Sequence, residues 1–289
     1  MLSLLKKLHI TQVIFWVFLA LKLSVFAKAG DLLLDNLDQR DIDNLTRELS
    51  ANFNFTHTLV TPANSLGHAL GFEAGALVGA TYVPRIGEIV RRTNPQIHSN
   101  YIPHAAYVLG LTMPLGITLE GQIFPTRDVE NVNFGHYSGA LKWTPTAFMK
   151  KTWYHVAFKF HGARTAIDIN QVLNNASTQN INVRTVLQIR NLVWGSALNL
   201  SLMLGPFRPY IGGGYLEAKE NLYTNGPDGV TAFTTGGYRT GNPQHALGRA
   251  SSAYGFVGFE IVAFFFHWGA EYTELFQTKR VTTKISFGI

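Results

Sequence analysis

Thirteen residues of this chain carry chemistry at a spacing that gathers them: Glu73, Glu120, Gln122, Lys142, His155, Lys159, His161, Asn199, Glu217, Glu260, His267, Glu271 and Lys284. Each stands at an alternate position in a segment whose other positions are apolar, so each belongs to the polar face of a strand with period two. Brought face to face, five carboxylates, three lysines and three histidines can act in two ways. They can line a water-filled path and bias it weakly toward cations through the sign of the potential along it. Alternatively, opposite charges can pair and fill the space between the strands. The sequence leaves both open.

Other chemistry finds less support. A serine nucleophile needs a base on an adjacent strand face, and Ser138 with His136 or His155 is as readily plain polar lining. His98, His104 and His136 could gather a metal ion, but isolated histidines at such spacings are ordinarily solvated. Gly212-Gly213-Gly214 falls inside a strand, where small residues ease bending, rather than in a phosphate-binding loop. The absence of cysteine excludes disulfides, thiolate metal sites, a cysteine nucleophile and a lipoprotein anchor. The expectation is a chain with no cofactor, no metal and no enzymatic activity.

The elements that position the polar row are strands. Leu70, Phe72, Ala74, Ala76, Val78, Ala80 and Tyr82 alternate with Gly71, Glu73, Gly75, Gly79 and Thr81. A strand of that length exceeds the usual five or six residues of soluble sheets and suits a tilted membrane strand. The pattern returns over 101–113, 117–123, 135–143, 153–163, 192–204, 209–219, 251–261, 265–276 and 281–289, giving ten strands. Between 181 and 204 the apolar phase slips from odd to even positions, which a bulge or a junction of two strands near Asn191 would produce. Long connections at 83–100, 125–134, 164–180 and 220–250 alternate with short ones at 114–115, 145–151, 205–208 and 262–264. That is the loop pattern of an antiparallel up-and-down transmembrane β-barrel, all-β, with extracellular loops and periplasmic turns. Tyr82, Tyr107, Trp143, Tyr154, Trp194, Tyr210, Trp268 and Tyr272 are expected on its outer face, as aromatic girdles.

Ahead of the strands, residues 1–29 read as a cleaved export signal: Lys6 and Lys7, an apolar run from Val13 to Phe26 broken by Lys22, then Ala27-Lys28-Ala29. Cleavage takes away four lysines and no acid, lowering the formal charge from +6 to +2. That removes the argument for a nucleic-acid partner. Residues 30–61 carry an amphipathic helix beginning at an Asp31 N-cap, with Leu34, Leu37, Ile42, Leu45 and Leu49 on one face. Its net charge of −4 predicts that it caps the periplasmic mouth of a barrel spanning 62–289, against Lys150, Lys151 and Arg208. The 46% apolar, 12% aromatic and 15% charged composition fits a lipid-facing exterior.

Two stretches resemble the outer-membrane β-barrel proteins of Gram-negative bacteria, porin-like and OmpA- or OmpW-like in the broad sense. Arg208-Pro209-Tyr210-Ile211-Gly212-Gly213-Gly214-Tyr215 is similar to the Pro-Tyr-x-Gly strand openings common there. The terminal Lys284-Ile285-Ser286-Phe287-Gly288-Ile289 is similar to their last strand, although the family usually ends on an aromatic residue and here Phe287 precedes Ile289. The resemblance implies an outer-membrane location, lipid as surrounding partner, and recognition of the C-terminal strand by the barrel-assembly machinery. Its expected function is a small pore or uptake channel, or else a non-conducting barrel acting through its loops. Barrel proteases of the omptin kind would need paired aspartates at the outer rim, whereas Asp128, Asp168 and Asp228 are scattered.

Overall fold

The computed structural model describes residues 34–55, 70–95, 100–129, 131–149, 153–175, 181–226, 233, 240, 242 and 244–288. Within these, ten antiparallel strands close into a barrel in chain order: β1 (Gly71–Tyr82), β2 (Tyr101–Met113), β3 (Ile117–Val129), β4 (Val132–Trp143), β5 (Tyr154–Asn175), β6 (Ile181–Leu202), β7 (Phe207–Asn225), β8 (His245–Ala263), β9 (Phe266–Leu275) and β10 (Thr278–Gly288). β1 pairs with β10, from Glu73 opposite Gly288 to Thr81 opposite Arg280, so no strand is left as an edge along the closed wall. Two helices join them, α1 (Gln39–Phe53) before β1 and α2 (Pro84–Thr93) between β1 and β2.

The alternation of the sequence sorts the side chains. Leu109, Leu119, Leu141, Phe160, Trp194, Leu198, Ile211 and Val257 all point outward and are close to half exposed or more. A belt of this kind would be insoluble in water. In a bilayer it is matched to lipid, while the closed ladder satisfies the backbone groups internally. The belt stops abruptly on β7, where Ile211 and Tyr215 are followed on the same face by Glu217 and Lys219.

The two ends of the barrel differ. One, the loop end, carries the connections 83–100, 176–180 and 226–244, two of them long; the other, the turn end, carries 114–116, 144–153, 203–206 and 264–265. Strands β5 to β8 run 19–22 residues and rise past the belt on the loop-end side, whereas β9 and β10 have 10 and 11. Much of the chain expected to be loop at 125–134, 164–180 and 220–250 is therefore strand. β3 and β4 continue to Val129 and Val132, and their ladder holds the one register shift within it, between Phe124 and Arg127.

The apolar phase slip after 181 has a different cause from a bulge or a junction. β6 is one strand, paired without interruption to β5 from Tyr154 opposite Leu202 to Asn175 opposite Ile181. Its buried face changes character along its length. In the belt, Leu192, Trp194, Leu198 and Leu200 face outward to lipid; above it, Leu187 and Ile189 face inward and are fully buried. Ile167 and Ile169 do the same on β5, as do Leu222 on β7 and Ala246 on β8.

What these inward apolar residues pack on is α1. Leu34, Leu37, Ile42, Leu45, Leu49 and Phe53 form one core with them and with Val83, Ile86, Ile89 and Val90 around α2. The helix starts later than expected. Its N-cap is Asp38, whose side chain accepts the Asp41 N–H while the Asp41 side chain accepts the Asp38 N–H. Asn36, at φ 54°, turns the chain just before it. Asp31 and the export signal lie outside the described residues.

Candidate functional site

α1 does not cap the turn-end mouth; it lies within the barrel, against the upper inner wall. Gln39 donates to the Leu247 carbonyl and the Leu34 amide donates to the Gln171 side chain, both at the loop end of their strands. Its acidic residues find local partners there: Asp41 pairs with Arg92 of α2 at 2.5 Å. Of the expected partners, Lys150 and Lys151 lie outside the described residues, and Arg208 stands at the turn-end start of β7, opposite Glu260 and away from α1. Glu48 is buried and accepts the N–H groups of Arg85 (3.0 Å) and Ile86 (2.7 Å). Those are the first amides of α2, which has no side-chain cap of its own, so α1 caps α2 and meets its positive end with a carboxylate. Burial pushes the Glu48 carboxyl up nonetheless, against the pull of those two bonds and of Arg85.

A second buried carboxylate seats α1 on the wall. Glu220, inward on β7, accepts from Asn191 Nδ2 (2.9 Å) and from Thr46 Oγ1 of α1 (3.5 Å), while Asn191 also donates to Ser50 Oγ (2.8 Å). Burial outweighs both bonds and pushes Glu220 up to about 8, so it carries its proton at neutral pH. The close approach of helix to wall requires Gly248 on β8: a Cβ there would collide with Thr46 Oγ1 and crowd the Ile42 carbonyl.

Below α1 the interior is filled by charged side chains. Glu120 on β3 bridges Lys142 on β4 (2.8 Å) and Lys159 on β5 (2.6 Å). The two lysines are directly opposed in register, a like-charge pair that only the shared carboxylate makes tolerable. Lys284 on β10 joins Glu73 on β1 (2.6 Å) to Glu260 on β8 (2.8 Å), Ser286 donates to Glu73, and His267 Nδ1 lies 3.4 Å from Glu260. Glu73, Glu260 and His267 have the donor set of a cation site. The Lys284 ammonium already stands between the two carboxylates.

Arg280 connects the two layers. It lies 3.7 Å from Glu271, which accepts the Tyr210 hydroxyl (3.1 Å) and the Thr273 hydroxyl (2.9 Å). Its guanidinium also donates to the carbonyls of Ala51 (3.3 Å), Asn54 (2.8 Å) and Phe55 (3.4 Å). Those are at the C-terminal end of α1, where carbonyls have no helical partner and a cation is favoured. The Phe55 ring reaches further down, with Lys159 Nζ 5.0 Å from its centre.

Of the thirteen residues picked from sequence, Glu73, Glu120, Lys142, Lys159, Glu260, His267, Glu271 and Lys284 are gathered into these networks. His161 faces the Tyr254 hydroxyl at 3.1 Å, and His155 stands apart at the turn end, 3.2 Å from Thr146 Oγ1. Gln122 and Asn199 are buried on the inner wall. Glu217 is not inside: on β7 the inward residues are Tyr210, Leu216, Ala218 and Glu220, so Glu217 faces out and the expected girdle residue Tyr210 faces in. Arg280, Glu220, Asn191, Tyr210 and Tyr254 were missed. For Arg280 a signal existed, since it shares the parity of Lys284 on β10. His136 Nδ1 lies 3.0 Å from Thr165 Oγ1, and His98 and Asp228 fall outside the described residues.

No family model matches the chain, and no curated protein does. Solved structures similar to it include the translocator domain of the autotransporter NalP from Neisseria meningitidis, at 10% identity and TM-score 0.41, covering 83% of this chain and 91% of that one. The outer membrane protease OmpT from Escherichia coli matches at 9% identity and TM-score 0.38, over 76% and 96%. A FadL homologue of Pseudomonas aeruginosa matches at 12% and 0.36, over 85% and 69%. The described residues close as a ten-stranded antiparallel up-and-down β-barrel. In this barrel, the lumen that such a fold can leave open is occupied twice over, by α1 above and by paired charges below.

Proposed function

We propose that the protein is a Gram-negative outer-membrane barrel closed along its axis, exported by a signal ending near Ala29 and inserted with its loop end outward. The observation that carries this is the state of Lys142, Lys159, Arg280 and Lys284. All four are at most 1% exposed and all face carboxylates from other strands. Cations lining a hydrated path would keep water contact; these are packed as filling. The work of the protein then falls to the loop end, where α1, α2 and the raised strands β5 to β8 build a compact head suited to structural or recognition tasks. The reading assigns it no catalysis. Outer-membrane lipid is the surrounding partner, and the last strand, with Phe287 facing out, is what the barrel-assembly machinery would engage.

Recording from the full chain in planar bilayers tests this: the expected trace has no conductance steps, and regular steps would overturn it. A second reading, a channel gated by α1, rests on one observation. The upper lumen is obstructed by a separate segment whose lower seat is polar, through Asn191, Glu220 and Arg280.

A further inference from the structure

Outside the barrel, on the same β5 to β8 wall, one row of the ladder is basic. Arg164 on β5 is opposite Leu192 on β6, Leu192 is opposite Lys219 on β7, and Lys219 is opposite Arg249 on β8. All four side chains face outward and are exposed. Neighbouring strands are roughly 4.8 Å apart, so Lys219 and Arg249 adjoin and Arg164 stands about 10 Å away. Directly opposed like charges destabilise a sheet. Two residues up the same wall Arg190 is neutralised by Asp168 at 2.5 Å, but among the described residues Arg164, Lys219 and Arg249 have no such ion pair. Among the described residues the acid beside the row on β7 is Glu217, two residues below Lys219 and opposite Ser251, which leaves these residues net cationic.

The row lies immediately above the lipid belt. On β7 the outward residues descend from Lys219 through Glu217 to Tyr215 and Ile211, and on β8 from Arg249 through Ser251 and Ala253 to Gly255 and Val257. Directly beneath Arg249 the wall holds a crevice of about 530 Å³, lined among others by Ile211, Ala253, Gly255, Val257, Tyr272 and Phe276. It opens where β8 and β9 part. Their ladder ends at Gly255 opposite Glu274, and the chain turns back at Phe276, whose amide donates to Ser252. Gly255, which lines it, is opposite Gly213 on β7, so neither strand adds a side chain at that place. Glu274 on its far rim is opposite Lys279 of β10.

We infer that this face binds one anionic lipid of the surrounding leaflet, its phosphate held by Lys219 and Arg249 with Arg164 beside them, and an acyl chain lying in the crevice between β8 and β9. Four residues of strand separate Arg249 from Ala253, about 13 Å, which is the scale between a lipid's phosphate and the upper part of its chain. The surface is bathed in lipid in any case. What the geometry adds is a recess for one chain directly below paired cations, and so a preference for a headgroup with net negative charge.

The test uses the full chain in a neutral detergent, titrated with phosphatidylglycerol, phosphatidylcholine or inorganic phosphate, with bound lipid per barrel counted by native mass spectrometry. The expected result is one phosphatidylglycerol retained in preference to phosphatidylcholine, and not displaced by inorganic phosphate. A contribution of roughly fivefold per cation makes the Lys219→Gln/Arg249→Gln variant lose most of that preference. Arg249→Lys keeps it, and Ala253→Leu, which fills the crevice, lowers retention of both lipids. Unheated gel mobility confirms that each variant is a folded barrel. An unchanged headgroup preference in the double glutamine variant, displacement by inorganic phosphate, or unchanged retention in Ala253→Leu would overturn the assignment.

Discussion

The upper and lower halves of the lumen are filled by opposite means. Above, α1 and the residues just before it bury Leu37, Ile42, Leu45 and Leu49 against the inward apolar faces of β5 to β8. Below, carboxylates and cations from different strands close on one another. The apolar half draws its stability from area removed from water, at about 1.5–3 kcal/mol for each large side chain. The ionic half gains little net energy, because desolvating two ions roughly cancels their attraction. What the ionic half gains is register: Glu120 must meet Lys142 and Lys159 together, which no slipped pairing of β3, β4 and β5 allows. A wall that faces lipid outside can therefore be tied together inside by charges, where a soluble barrel would use its core.

The contrast predicts unequal responses to substitution. Glu120→Gln should be the most damaging single change. It leaves two opposed lysines buried with no carboxylate between them, and breaking such a set costs about 3–5 kcal/mol. The loss is read as a lowered urea midpoint for the transition of the unheated, fast-migrating form. Leu45→Ala strikes the apolar half and should cost about 2–5 kcal/mol. Because it lies in α1 rather than in the wall, it should raise protease cleavage within 34–55 before it affects barrel migration. If both variants lose the barrel in one transition, the halves are not separable as described.

A smaller effect should follow pH. Glu220 holds its proton in the folded state up to about 8 but ionises near 4.5 once unfolded. Between those values the folded state binds the extra proton, so its contribution to stability falls as pH rises, by about 1.4 kcal/mol per pH unit at most. Between pH 6 and pH 8 the seat of α1 should weaken, seen as faster proteolysis of α1, and Glu220→Gln should flatten that dependence. Glu217→Gln, on the exposed outer face, should change stability by less than about 0.5 kcal/mol. A large loss there would mean that β7 runs in the other register.

How much of this was legible beforehand follows the same division. The belt strands and the ionic half were readable, because lipid outside and charge inside produce strict alternation in the sequence, and Glu73, Glu120, Lys142, Lys159, Glu260 and Lys284 all lie on the polar phase. The upper half was not. There the inward residues Ile167, Ile169, Leu187 and Ile189 are apolar because of a helix more than a hundred residues away, so the alternation inverts and resembles a break. On β7 the difficulty was local. Gly212, Gly213 and Gly214 supply no side chains to carry the phase, and Tyr210, read as a girdle aromatic, set the register one residue off and took Glu217 with it. In fact its hydroxyl bonds Glu271 within the lumen.

The central claim is that the lumen is closed twice, by independent means. It is tested most directly by recording from a chain lacking residues 34–55 in planar bilayers, after unheated gel migration has shown that the barrel persists. The lower charge networks should keep it closed, giving no conductance steps. Steady, regular steps from that variant would contradict the account and make α1 the sole barrier.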